Sequence, residues 1–300
     1  MVKIPKFWYK WTRDGAKMKL QIANGAVEGF SVSPAHADRG DGVGERDYVY
    51  VGAYHCASGT DDKYKSKTGV TPQGSETRAQ FRTGIHNLGA NIWQYDFAMY
   101  WTIMMLYLVE YAHWNTQGKI GYGCGTEYSA VNNGLTDSMT YHTGTNAESR
   151  DTYGQIRYRY IEGLWSNVYD FVDGIYFAPD STGVRNRQVC IIKNPASFSD
   201  STGGMFYGSR ASTTGYISGF MGTSSSPTSW YSFVRYPNEV SGTDSTYVCD
   251  ECGYQATGTV LFVGSGGGSY QNRGGFYLVG TVDHNTGKGW YIGSRIMELP

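Results

Sequence analysis

The sequence predicts an α+β fold, and three observations carry that expectation. Between Trp93 and His113 large apolar side chains recur at three- and four-residue spacing, the period of a helix. Beyond residue 155 the apolar residues fall instead into short runs bounded by Gly, Asn and Pro, as strands do. Gly (41 residues) and Tyr (26 residues) are in excess over 300 positions, which calls for many turns and for apolar surfaces with polar tips. Helices early and β runs late give the α+β order, and no internal repeat is visible.

The elements run in chain order. Phe7-Trp-Tyr-Lys-Trp11 and the alternating Met18-Lys-Leu-Gln-Ile22 read as strands around a turn at Asp14-Gly15, and Asn24-Gly25 is a hairpin signal. Residues 34–47 form a loop rich in Gly and Asp. Tyr48-Val-Tyr-Val51 is a strand and residues 57–76 a polar loop. Thr77 to Leu88 reads as a short helix ended by Gly89. Asn91 is the expected cap of the next helix, Trp93 to His113, which is apolar nearly all round and belongs in the core. Residues 115–155 are loop-like. Ile156–Ile161, Val168–Phe177 and Gln188–Ile192 read as strands, the last ended by Asn194-Pro195. Residues 203–228 are dominated by Ser, Thr and Gly and are expected to be an insertion or a flexible loop. Phe233–Tyr236 and Tyr247–Cys249 precede the final strands.

Composition excludes several functions. Lys+Arg (25) nearly balances Asp+Glu (26), with no basic stripe, so no nucleic-acid partner is expected. The longest apolar run, Phe97 to Val109, falls short of the ~20 residues of a spanning helix, so no membrane insertion is expected. No signal peptide is expected, because Pro5 breaks any early apolar region. Five widely spaced cysteines give no disulfide framework, and Cys249-Asp-Glu-Cys252 lacks the further ligands zinc needs. Asp38, Asp41, Glu45 and Asp47 miss the spacing of a calcium loop. No metal and no cofactor are therefore expected.

The last forty residues carry the candidate site. Two β runs, Leu261–Val263 and Gly275–Gly280, lead into loops of large polar and aromatic residues. Phe276 and Leu278 are the bulky apolar residues of their strand and are expected inward, which turns Tyr277 and Val279 outward. The expected binding face is Tyr270, Gln271, Asn272, Arg273, Tyr277, Val279, Thr281, Asp283, His284, Asn285 and Lys288. Tyr270, Arg273 and Tyr277 are its expected hot spots. The bland alternative is a set of ordinary exposed loops.

These residues also carry a resemblance. Gly-Gly-Ser-Tyr270, Gly275-Phe-Tyr-Leu278 and Ile292-Gly-Ser-Arg-Ile296 resemble the C-terminal part of the C-type-lectin fold. The nearest variant is that of phage tail receptor-binding proteins and of the variable proteins of diversity-generating retroelements. Gly163-Leu-Trp-Ser-Asn-Val-Tyr-Asp-Phe-Val-Asp-Gly174 resembles a block of the same fold shared with formylglycine-generating enzymes, and Ile4–Tyr9 with Gly29–Pro34 resembles the opening of many such tail domains. The resemblance implies one elaborated C-type-lectin-like domain over 1–300. Within it, 1–90 would be a β-rich N-terminal part with loop insertions further on, and 91–300 a core presenting a binding face at 264–291. It implies structural roles for Trp165, Asn167 and Asp173.

Enzymatic readings are weaker. Glu110, Glu162, Asp170 and Asp173 stand near aromatics as a glycosidase pair would, but no G-x-S-x-G, H-E-x-x-H or P-loop occurs. The resemblance to formylglycine-generating enzymes would place a reactive cysteine pair within Phe276–Ile296, where there is none, and the sugar-binding tripeptides of calcium-dependent lectins are absent. Three expectations stand in order. The first is a non-enzymatic phage tail-tip domain in the virion, recognising a bacterial surface protein or glycan, joined to other tail proteins, and trimeric if the resemblance holds. An upstream shaft or attachment region would then precede Met1. The second is a bacterial surface-displayed variable protein of the same fold. The third is a degenerate enzyme.

Overall fold

The structure, a computed structural model, describes residues 1–14, 17–58, 64–124, 130–146, 154–179, 188–221, 230–254, 260–264, 275, 279–283 and 288–300. It is mixed, with few helices and many strands in several small sheets.

Three α-helices lie in the first half of the described residues; the last, Thr116–Lys119, is a single turn capped by Asn115 within the stretch 115–155 expected to be loop-like. α1 (Arg78–His86) starts at a capping box: the Thr77 side chain accepts from the Gln80 backbone while Gln80 reaches back to Thr77. α2 (Phe97–Tyr111) buries eleven of its fifteen residues, so it is a core helix with little exposed stripe. Its N-cap is Asp96, whose carboxylate accepts from the Met99 amide at 2.7 Å, and its C-cap is Ala112 in the left-handed region. Asn91 is therefore not the cap, and the helix does not begin at Trp93. Ile92–Gln94 is a strand instead, paired with Ile296–Glu298, and the Trp93 ring stacks on His86 at 4.0 Å.

That pairing closes a four-stranded sheet in the order Val2–Pro5, Tyr48–Val51, Ile296–Glu298, Ile92–Gln94, so the first and last strands of the chain share one sheet. The largest sheet has eight strands built on Tyr169–Ala178. Gln188–Ile191 and then Met205–Ser209 lie on one side of that strand, and Val260–Gly264, Val279–Asp283, Glu251–Cys252 and Gly215–Tyr216 on the other. Ile292–Gly293 pairs parallel to its start. The central strand is apolar on both faces because both are covered. Val172, Ile175 and Phe177 join the core around α2, while Phe171 and Tyr176 join a second cluster with Phe81 and Ile85 of α1. A register shift between Phe171 and Tyr176, at Asp173-Gly174, lets the strand serve both.

Four expectations are corrected. Asn24-Gly25 does not close a hairpin: Trp8–Asp14 is the middle strand, with Lys17–Ala23 on one side and Ser31–Val32 on the other, so residues 24–30 cross over it. The polar stretch 57–76 is not all loop: Tyr64–Ser66 is a strand paired antiparallel with Cys56–Ser58. Ile156–Ile161 is not one strand. Ile156–Tyr158 turns back into Ile161–Glu162 through Arg159 (φ 48°) and Tyr160 (φ 67°), a two-residue turn of the kind usually made by Asn-Gly. Each non-glycine residue in that region costs roughly 1–2 kcal/mol. Finally, residues 203–221 are not a loose insertion: Met205–Ser209 extends the large sheet, and Ala211, Ile217 and Met221 are buried.

Candidate functional site

Of the expected face, Tyr270, Gln271, Asn272, Arg273, Tyr277, His284 and Asn285 lie outside the described residues, as do Phe276 and Leu278. Val279, Thr281 and Asp283 occupy alternate positions of one strand, opposite Gly264, Phe262 and Val260. Lys288 is exposed. Gly275 is buried, and its amide donates to Asp250 at 2.7 Å.

Two aromatics just beyond Lys288 lie within the expected 264–291 face but are not among its named contact residues. Trp290 and Tyr291 are exposed by 36% and 41%, unusual for adjacent large aromatics. Their rings meet edge-on at 5.6 Å, and Tyr291 meets Tyr169 edge-on at 6.4 Å. The backbone beneath them is held on both sides. The Tyr169 amide donates to the Tyr291 carbonyl and the Ser75 amide to the Gly289 carbonyl, each at 2.8 Å. Gly74 lies so close that a Cβ there would stand 2.5 Å from the Trp290 carbonyl oxygen. Ser75 has φ 63°, a conformation that L residues seldom adopt. Beside it, Gln73 donates to Glu76 at 3.1 Å, Ser58 donates to Gln73, and Tyr64 donates to Glu76. The arrangement presents exposed aromatic faces on a hydrogen-bonded backbone next to polar groups, which suits non-covalent recognition. The sequence signal for it is Trp290 directly after a glycine. The contributions of Tyr169 and loop 73–76 come from parts of the chain that only folding brings together.

The carboxylates considered for catalysis are engaged elsewhere. Glu162 is buried and accepts from the amides of Gly134 and Thr136, at 2.8 Å each, and from the Thr136 hydroxyl at 2.6 Å. Asp173 is buried and held by both nitrogens of the Arg82 fork at 2.6 and 2.8 Å, with the Gly174 amide donating at 2.9 Å. Glu110 pairs with Arg159 and accepts from Tyr158. Asp170 accepts from Arg295 at 2.7 Å, and burial still pushes its carboxyl up to about 6, against the pull of that guanidinium. His55 lies 3.6 Å from it, fully buried and held well below the ordinary imidazole range by burial and by Arg295. Arg295 also donates to the carbonyls of Glu162 and Gly163, so this cluster ties four segments together.

Trp165 and Asn167 sit in the same framework. The Trp165 indole donates to the Gly121 carbonyl at 2.9 Å. Asn167, at φ 75°, exchanges two hydrogen bonds of 2.9 Å with the backbone of Val131.

Cys249 and Cys252 are buried free thiols whose ionisation burial pushes up to about 12, the opposite of a reactive pair. In the acidic loop, Asp38 accepts from the Gly40 amide and Asp41 pairs with Arg46 at 2.5 Å. Among the described residues no group of three His, Cys, Asp or Glu is placed to hold a metal ion, and no helix is long and apolar enough to cross a membrane. No protein-family model matches the chain, and no curated protein matches it.

Proposed function

We propose that this chain is a non-enzymatic receptor-binding domain of C-type-lectin-like fold, acting at a phage tail tip in the virion. Its partner would be a bacterial surface protein or glycan. The binding face is formed by the C-terminal segment from Tyr270 to Lys288 and continues onto Trp290 and Tyr291. The observation that carries this reading is the exposed Trp290–Tyr291 pair on a backbone pinned by Tyr169, Gly74 and Ser75. Rigid aromatics at a surface give contact area at little entropic cost. Two further observations support it. Strands Val2–Pro5 and Ile296–Glu298 share one sheet, which ties the C-terminal segment into the same core as the N-terminal strands. The buried carboxylates Glu162 and Asp173 are used up in backbone and guanidinium contacts. A trimer joined to other tail proteins would multiply weak single-site contacts. A bacterial surface-displayed variable protein would use the same face in a different place.

The experiment is binding of the purified chain to candidate host cells, with folding checked by melting. Trp290→Ala, Tyr291→Ala, Arg273→Ala and Tyr277→Ala are each expected to lose about 1–3 kcal/mol of binding at near-parental Tm. Four variants that bind like the parent would place the face elsewhere.

A further inference from the structure

A groove of about 390 Å³ runs along the strand Val2–Pro5, well away from the C-terminal segment in sequence. That strand is the outermost of its sheet, so the groove follows a sheet edge. Its floor is aliphatic, with Ile4 and Ile103 buried and Ile22 and Leu106 half-buried. Its rim carries Lys3, Lys6 and Arg159 together with His142, and no carboxylate is among the described residues that line it. Glu110, which pairs with Arg159, and Asp47 and Glu45, which pair with Lys6, lie outside the lining. Lys3 rests on the Tyr48 ring at 4.0 Å and has no carboxylate partner among the described residues. The far lip is the strained Arg159–Tyr160 turn. There the chain keeps two large side chains where glycine would be cheaper. Tyr160 is 60% exposed, with its ring against His142 at 5.9 Å and the Arg157 guanidinium at 5.6 Å.

We propose that this groove binds an anionic amphiphile, an aliphatic chain ending in a carboxylate or phosphate. The chain would lie over Ile4, Ile22, Ile103 and Leu106, and the head group would meet the cations of the rim. Two features separate this ligand from an added peptide strand. The Lys6 amide donates to the Asp47 carbonyl at 2.8 Å, and the pairing of Ile4 with Val49 continues that phase, so Lys3 and Pro5 are the residues whose backbone faces the groove. Pro5 has no amide hydrogen, so an added strand would find a broken ladder. The aliphatic floor and the carboxylate-free rim are complementary instead to a ligand that is apolar along its length and charged at one end.

The test is equilibrium binding of dodecanoate and dodecyl phosphate to the full chain, below their micelle concentrations, with dodecyl maltoside as the neutral probe of equal chain length. Both anions are expected to saturate one site. Decanoate and octanoate should bind about fourfold more weakly for each methylene removed. The neutral probe should bind at least about tenfold more weakly, because it leaves the rim unmatched. Leu106→Trp, or Ile22→Trp if the first fails to fold, should fill the floor and abolish binding. Arg159→Gly relieves the turn and should weaken dodecanoate about tenfold while melting no lower than the parent. The proposal is overturned if no anion saturates a site at millimolar concentration, if affinity ignores chain length, or if the neutral probe binds equally well. Displacement of bound dodecanoate by a short acidic peptide without an alkyl chain would assign the groove to a peptide and overturn it too.

Discussion

Asp173 holds together more of this molecule than its place in an Asp-Gly dipeptide suggests. It accepts from both arms of Arg82 and from the Gly174 amide, and Arg78 stands 3.7 Å away. Removing it would leave guanidinium charge without its main partner inside the fold. Asp173→Ala is expected to cost about 3–5 kcal/mol, read as a loss of denaturant midpoint. A second residue sets a pH dependence. The His36 Nε2 donates to the Ile4 carbonyl at 2.9 Å, and Nδ1 lies 2.6 Å from the Ser33 hydroxyl, which donates to it when the ring is neutral. Burial holds its pKa down to about 4. Between about 6.5 and 4 the unfolded chain therefore binds a proton that the folded chain does not, and stability falls as the pH falls through that window. The contribution is about 3 kcal/mol. Asp170, raised to about 6, acts in the opposite sense over part of the same range. The clean measurement is thus a comparison: the stability gap between the parent and His36→Gln should shrink by about that amount between the two pH values. Asp173 is legible as a scaffold residue from its Asp-Gly dipeptide, although that dipeptide lies at a register shift within the strand Tyr169–Ala178 and not in a turn. His36 is not, because its partners come from Ser33 and from a strand near the start of the chain.

At the scale of elements, legibility tracks the locality of the signal. Thr77 with Gln80 is a capping box readable in four residues, and α1 starts there. The body of α2 is readable from its period, but its start is not. Trp93 and Gln94 satisfy a helical pattern, yet the edge of Ile296–Glu298 claims them as a strand, and Asp96 caps what remains. The Arg159–Tyr160 turn lacks the glycine or asparagine that would announce it. Met205–Ser209 lies within a Ser- and Gly-rich stretch, and only pairing with Gln188–Ile191 makes it a strand. The candidate face is half legible: its exposed Lys288 and the flanking Trp290 stand in or beside the expected segment, but Tyr169 and Gly74 do not. Gly74 supplies the prediction at this scale. A methyl there would press on the Trp290 backbone, so Gly74→Ala is expected to cost about 1–3 kcal/mol. It should also weaken binding to cells when assayed well below its Tm.

For the whole molecule, the informative feature is where the last strand sits. Ile296–Glu298 is an inner strand, with Tyr48–Val51 on one side and Ile92–Gln94 on the other. Met297 and Leu299 are buried in the same core as Ile4 and Val49. Deleting residues 296–300 would split the sheet and open the core around α2. The truncated chain is expected to show no cooperative melting transition, whereas a deletion confined to Met1, which is half exposed, should leave Tm within a few degrees. The buried position of Met297 and Leu299 also sets when this sheet can form. Val49 and Val51 leave the ribosome long before Met297 exists, so the sheet cannot close until Ile296–Glu298 has been made. Until then the early strands keep an apolar edge uncovered, and closing this sheet depends on contacts between distant parts of the chain, the kind that form slowly. A product terminated before Ile296 would lack the inner strand of this sheet and be left to chaperones and proteases.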